Sequence, residues 1–363
     1  MFVLGVNISH HPSVCLLDDG EIVYYLEDDR LNRNKEQDWE YNDPMRCLTH
    51  VRQYTEHLDH IIFCSYIKNK WSQYRDDLTI DQVKRNLKLY GITYDEEYYL
   101  PEHHLFHASS AFYSSLFDEA AALTCDGGGA PVNQALDLKE VESMYYFSGN
   151  NIDTVHKHHG HYDPSYSDSV LRVNDKLALT HSLSNGGLFN LFCGVCDLGG
   201  AGEGMGVSPY GKADVYPEEW FYYEPKGDMW VTDNEILIDT CRRVLHCPNF
   251  DPEFAKNDDE IFDISFEDMS NLFAKVQLES KKHTIRLIKQ LLDKTGTKNV
   301  VLSGGYFLNC VNNYHYVKEF PEINFYVDPC AHDGGTAIGA AFYVWHHLLD
   351  NKQRHPLTSL FLG

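Results

Sequence analysis

Three short, largely apolar runs in this chain each end at a turn built from glycine. Ala120–Cys125 meets Asp126, Gly127, Gly128 and Gly129. Val300–Leu302 meets Ser303, Gly304 and Gly305. Ile323–Val327 leads to Asp333, Gly334 and Gly335. Runs of this kind are expected of strands covered on both faces. Glycine lets backbone N–H groups come close to a phosphate, and a helix that follows adds its positive end. Carboxylates stand at two of the three turns, Asp126 and Asp333. Any one of these turns is equally a plain strand-to-helix connection, because glycine motifs are promiscuous. Their recurrence points to phosphate or metal loops converging at strand ends, as in a two-lobed α/β nucleotide-binding fold.

The rest of the chain is read around that frame. At the N-terminus, Phe2–Val6, Ser13–Leu17 and Ile22–Leu26 predict three strands, the last two joined by a tight turn at Asp18-Asp19-Gly20. Residues 35–100 read as mixed and helical, residues 130–180 as polar and histidine-rich, and residues 213–263 as acidic and loop-like. A helix is predicted over 266–294. Another is predicted over 103–116, where Leu105, Phe106, Ala108, Ala111 and Phe112 form an apolar side. His156, His158, His159 and His161 read as a solvated loop.

Charge and cysteine usage narrow the function classes. A net charge of −24 repels nucleic acid and anionic membranes, so duplex binding would need a basic partner. A nucleotide is not excluded, since backbone N–H groups and a few cations hold one locally. No apolar run is long enough to span a bilayer. The ten cysteines show no disulfide framework, which fits a reducing, cytoplasmic compartment. Cys193 and Cys196 form an isolated CxxC and read as structural thiols.

The predicted helix at 103–116 carries His103 and His107, four residues apart and therefore on one face. Such a pair can chelate one ion, with carboxylates at strand ends completing the shell. Two imidazoles with carboxylates and open positions suit iron, manganese or zinc. With 20 histidines in 363 residues, about one such pair is expected by chance, so the pair gains meaning only beside Asp126 and Asp333.

Six ordered stretches together resemble the O-carbamoyltransferase family of the nodulation-factor and antibiotic-tailoring type, in its N-terminal domain. They are LGVNISHHPSVCLLDDGEIVYYLEDDRLNRNK, EHHLFHASSAF, LTCDGGG, SLSNGGLFNLF with GEGMGVSPYGK, LSGGYFLNCVNN, and DPCAHDGGTAIGAA. That domain is similar to the tRNA threonylcarbamoyl-transferase and implies a bilobal α/β fold of the actin and sugar-kinase ATPase type. The lobes are expected at 1–118 and 119–348, with 349–363 as a tail at the family's domain junction. Two departures are EDDR at Glu27–Arg30 and GVSPYG in place of the commoner GLAPYG.

The resemblance implies a reaction: transfer of carbamoyl from carbamoyl-adenylate, made from ATP and carbamoyl phosphate, to an acceptor hydroxyl. The acceptor would be a sugar, an antibiotic-like molecule or a hydroxymethyl-pyrimidine nucleotide. It implies a divalent metal, iron first, on His103, His107, Asp126 and Asp333. It places phosphates and adenosine at Gly127, Gly128, Gly129, Gly304, Gly305 and Asn309, with ribose at Glu203. It faces His11 and Lys35 toward the carbamoyl group and phosphates; His10 is adjacent to His11 at a worse spacing. The family's adenylate-forming domain would begin near Ser359–Gly363, so a separate adenylating subunit is expected. Rival readings are a non-catalytic nucleotide-binding subunit and a small-molecule kinase of the actin-like superfamily; a kinase has no use for the histidine pair.

Overall fold

The computed structural model of the protein describes residues 1–9, 11–33, 45–64, 76–131, 138–160, 170–174, 176–225, 229–248, 264–357 and 359. The first sheet opens with β1 (Phe2–Asn7), β2 (Ser13–Asp18) and β3 (Glu21–Glu27), an antiparallel meander closed by the single turn α1 (Asp29–Asn32). β4 (His57–Cys64), α2 (Asp76–Leu89) and β5 (Thr93–Leu100) follow, giving the order β3-β2-β1-β4-β5 with β4 parallel to β1 and β5 parallel to β4. Helix α3 (His103–Ser115) then crosses to the second sheet.

That sheet begins with β6 (Glu119–Cys125), β7 (Lys139–Ser148) and β8 (Asn151–Gly160), and β9 (Val170–Asn174) and β10 (Leu177–Thr180) extend it beyond β8. Then come α4 (Asn185–Val195), α5 (Ala201–Val207), the hairpin β11 (Phe221–Glu224) and β12 (Met229–Thr232), α6 (Asn234–Val244) and the long α7 (Phe266–Thr295). β13 (Asn299–Ser303), α8 (Cys310–Glu319), β14 (Asn324–Val327) and α9 (Thr336–Phe342) complete the described elements. The order is β14-β13-β6-β7-β8-β10-β9. Its segment β8-β7-β6-β13-β14 repeats the first sheet: a three-strand meander with two parallel strands beyond the first. This duplicated unit is the two-lobed actin and sugar-kinase type of α/β fold.

The two sheets are joined through a helix pair. α9 packs on β1, β2 and β4, α3 packs on β6 and β13, and the two helices pack on each other. Their shared core buries Phe106, Phe112, Ala337 and Ala341. Two glycines make the approach possible. A Cβ on Gly339 would lie 1.7 Å from the Phe106 carbonyl oxygen, and one on Gly5 would lie 2.1 Å from that of Ala337. Because α3 and α9 are locked side by side, their N-terminal ends bring His103, His107 and Asp333 to one place.

Three expectations need correction. Within 35–100 the described residues include two strands, β4 and β5, and within 213–263 the hairpin β11–β12 and α6. Within 130–180 lie four strands, and His156, His158 and His159 are buried on β8 rather than solvated. Their polarity is absorbed by neighbours: His158 is hydrogen-bonded with Glu142 at 2.8 Å and with Thr180 at 2.6 Å. His161 lies outside the described residues. Cys193 and Cys196 are free thiols within the core under α4, and burial pushes them up to about 11 and about 12. No helix among the described residues is long and apolar enough to cross a membrane.

Candidate functional site

His103 is the first residue of α3 and His107 stands one turn on, so both imidazoles leave the same helical face. Asp126 follows the last residue of β6, and Asp333 opens the turn that starts α9. The fold brings these four buried side chains together, each with a ligand atom within 4.8 Å of the others. The two Nε2 atoms are 3.1 Å apart. His103 Nε2 is 3.2 Å from Asp126 Oδ2 and 3.5 Å from Asp333 Oδ1; His107 Nε2 is 3.9 Å and 3.6 Å from the same two atoms. A metal held at roughly 2.0–2.2 Å by four such donors needs them roughly 3.0–3.6 Å from one another. Four of the five separations fall in that range and the fifth, at 3.9 Å, lies just outside it, so the residues fit a divalent ion in chemistry and closely in spacing.

The electrostatics agree with a cation at this point. Burial would pull the His103 imidazolium down, yet the charge of Asp333 and hydrogen bonds with Asp126 and Asp333 hold it up at about 10. Burial would likewise raise Asp333, but the charge of His103 and hydrogen bonds from both histidines hold its carboxyl well below the usual range. His104, next in sequence to His103, has a different fate: burial pushes it down to about 3, and its Nδ1 is engaged with Ser143 Oγ at 2.9 Å. It supports α3 against β7.

The carboxylates of Asp126 and Asp333 border a cleft of about 560 Å³, lined also by Gly127, Gly128, Gly186 and Gly305. Gly305 donates its N–H to Asp126 Oδ1 at 3.1 Å, tying the turn after β13 to the turn after β6. Gly304 sits at φ +98 with no room for a side chain, since a Cβ would lie 2.2 Å from the Cys125 carbonyl oxygen. His11 reaches the cleft from the β1–β2 turn in the left-handed region, at φ 54. Asn7 holds that turn against the loop of Asp333, donating to the carbonyl oxygens of His11 at 2.9 Å and Asp333 at 3.1 Å.

Among the cleft residues not singled out from the sequence are three with polar side chains, His332, Lys139 and Asn190. His332 stacks on His11, with ring centroids 5.1 Å apart. Its Nδ1 accepts from the Gly334 N–H at 3.0 Å, which leaves Nε2 to donate to Glu27 at 3.3 Å. Its place beside Asp333 was the available signal. Lys139 belongs to no motif and meets the site only in three dimensions, whereas Asn190 stands within SLSNGGLFNLF, where the glycines drew the reading instead.

Other expected residues are placed differently. Gly129 does not line the cleft; it abuts His104 and Glu140. The Glu203 carboxylate lies on exposed α5 and accepts from the Gly199 N–H at 3.1 Å. Asn309 is buried, exchanges hydrogen bonds with Gln277 at 2.9 and 2.8 Å, and caps α8 through the Asn312 N–H. Lys35 and His10 lie outside the described residues.

Known proteins resemble this chain in sequence and in fold. A family profile described as the carbamoyltransferase N-terminus matches residues 91–342. The nodulation protein NolNO of Sinorhizobium fredii is 23% identical over 382 residues, spanning 98% of this chain and 49% of the relative. An uncharacterized Synechocystis protein, sll1178, is 25% identical over 412 aligned residues, spanning 99% of this chain and 60% of the relative. The chain thus spans about half the length of the curated relatives it matches. Among solved structures, full-length HypF in the phosphate- and nucleotide-bound form superposes with a TM-score of 0.58 at 14% identity, covering 98% of this chain and 56% of HypF. That likeness is one of fold.

Proposed function

Because the chain belongs to the carbamoyltransferase N-terminus family, we propose that it transfers a carbamoyl group from carbamoyl-adenylate to a hydroxyl of an acceptor. The observation that carries this reading is the four-donor cluster His103, His107, Asp126 and Asp333, whose carboxylates border a glycine-lined cleft. A divalent ion on those residues, iron in this reading, would supply a positive charge for the carbonyl and phosphate oxygens.

The chain's own residues do the rest. Gly127, Gly128 and Gly305 leave backbone uncovered where the phosphate lies. Gly129 and Gly304 keep the same loops closely packed; Glu203 and Asn309, which do not line the cleft, are assigned to adenosine in this reading. His11 accepts the proton of the acceptor hydroxyl. The acceptor oxygen bonds to the carbamoyl carbon, the bond from that carbon to the phosphate oxygen breaks, and its electron pair leaves on AMP. Lys35 is assigned to the charge on that phosphate. The products are a carbamate ester and AMP, with a sugar, antibiotic-like or hydroxymethyl-pyrimidine hydroxyl as acceptor.

Formation of carbamoyl-adenylate is assigned to a separate adenylating unit. The relatives extend well beyond the part matched here, which leaves room in them for such a unit. A free carbamoyl-adenylate hydrolyses in water, so the two sites would face one enclosed space. We place the reaction in the cytoplasm, where the cysteines stay reduced.

The test is reconstitution. The purified chain is given ATP, carbamoyl phosphate and a panel of hydroxyl acceptors, with and without the C-terminal half of a relative. Mass spectrometry should find a carbamoyl increment on an acceptor only in the reconstituted mixture. Full activity from the chain alone would refute the division of labour. AMP binding with no carbamate on any acceptor would favour a non-catalytic nucleotide-binding subunit.

A further inference from the structure

We propose that Lys139 and Asn190 form an anion subsite over Gly127 and Gly128 that takes the phosphate of the adenylate. The proposal rests on the carbamoyl-adenylate reading above. Both side chains line the cleft. A Cβ on Gly128 would lie 3.3 Å from Lys139 Cδ, so the lysine stem runs along the bare side of that glycine. A Cβ on Gly127 would lie 2.7 Å from Asn190 Nδ2, so the amide donor stands at the neighbouring peptide. The loop is therefore flanked by the lysine stem on one side and an amide N–H on the other.

The charge of Lys139 is not used elsewhere. Some lysines of the protein are paired, as Lys157 is with Glu102 and Glu140, Lys275 with Glu279, and Lys282 with Glu219 and Glu279, while others, such as Lys88 and Lys298, are without an ion pair among the described residues but do not line the cleft. Lys139 makes no ion pair and no side-chain hydrogen bond among the described residues, although the chain carries 54 acidic residues against 30 lysines and arginines. A cleft bordered by Asp126 and Asp333 on a chain of net charge −24 repels an anion unless a cation stands near. A phosphate accepts several hydrogen bonds at once, and a lysine serves it as a point charge. Lys139 and Asn190 offer that pair of donors at the loop where glycine exposes the peptide N–H groups.

A phosphate on the acceptor would present the same chemistry, and the experiment separates the two. AMP, adenosine and uridine monophosphate are titrated by calorimetry into the wild-type chain and into the Lys139→Gln and Lys139→Arg variants. We expect Lys139→Gln to weaken AMP about tenfold or more, Lys139→Arg to keep most of the affinity, and adenosine to bind all three alike. Unchanged adenosine binding also shows that the variants are folded. AMP binding equal in wild type and Lys139→Gln overturns the subsite while leaving the carbamoyl-transfer reading in place. Loss confined to uridine monophosphate puts the acceptor's phosphate there and overturns the assignment to the adenylate. A wild-type chain that binds neither AMP nor adenosine overturns both readings.

Discussion

Two buried groups of histidines and carboxylates occupy this protein, and they do opposite things with the same residue types. At the N-terminus of α3, the donor atoms of His103, His107, Asp126 and Asp333 gather within 4.8 Å of one another, each imidazole 3.2 to 3.9 Å from both carboxylates, and both aspartates border the cleft. Between β7, β8 and α7, the bonds run in a chain instead. Glu142 is paired with His158 at 2.8 Å and with His283 at 3.3 Å, and His158 continues to Thr180. Phe221 lies flat on His283 with ring centroids 4.1 Å apart. Convergence leaves room for a cation and a face open to ligand; a chain satisfies its members one by one and leaves nothing to bind. Histidine content is therefore no guide to a metal site until the direction of the donors is known.

The largest expected effect breaks the convergent group. His107→Ala or Asp126→Ala should take bound iron or zinc from about one ion per chain to near none in elemental analysis, and carbamoyl transfer should fall with it. Unchanged metal content in both variants would dissolve the distinction between the two groups. Next is His11, which faces the convergent group's cleft but is not a ligand in this reading. His11→Ala should slow transfer by about 10²–10⁴-fold and leave nucleotide affinity and thermal stability near wild type. A fully active variant would move the proton to another base.

The chain-like group should answer in the opposite currency. Glu142→Ala removes the carboxylate that both histidines share and should cost about 3–5 kcal/mol of folding free energy in urea denaturation. Metal content of the folded protein should not change. A loss of metal without a loss of stability would make Glu142 a supporting residue of the first group and erase the contrast.

How much of this could be read beforehand follows from the same contrast. β1, β2, β3, β6 and β13 announce themselves as apolar runs, because the positions they bury are apolar. β5 does not: TYDEEYYL lies at the edge of the first sheet with its acidic residues in water. β8 hides for the converse reason, since His156, His158 and His159 are buried while a polarity scale reads them as solvent-facing. The four convergent residues were legible because they stand at punctuated places: a helix start and two strand-to-glycine turns. Lys139 was not, because it lies outside every recognised stretch; Asn190, Glu27 and His332 stand inside such stretches, but their meeting with partners from distant segments is set by packing and by no local spacing.

The smallest expected effect concerns acid, and it sharpens what the chain-like group is. Burial would raise the Glu142 carboxyl, but hydrogen bonds from His158 and His283 outweigh burial and hold it well below the usual carboxylate range. A carboxyl with an ordinary value of about 4.3 in the unfolded chain then binds its proton more readily unfolded than folded. Its contribution is fully present above that value and is lost as pH falls through the range below it. Glu142→Gln keeps the shape and cannot titrate. Wild type should therefore begin to lose its advantage over Glu142→Gln below about pH 5 and go on losing it as the pH falls further, by at most about 1.4 kcal/mol per pH unit. Both proteins are to be measured with a chelator present, so that protonation of the metal ligands affects them equally and cancels in the difference. Parallel stability curves for the two would mean that Glu142 is protonated in the fold at neutral pH, and that its two histidines are held by neutral hydrogen bonds alone.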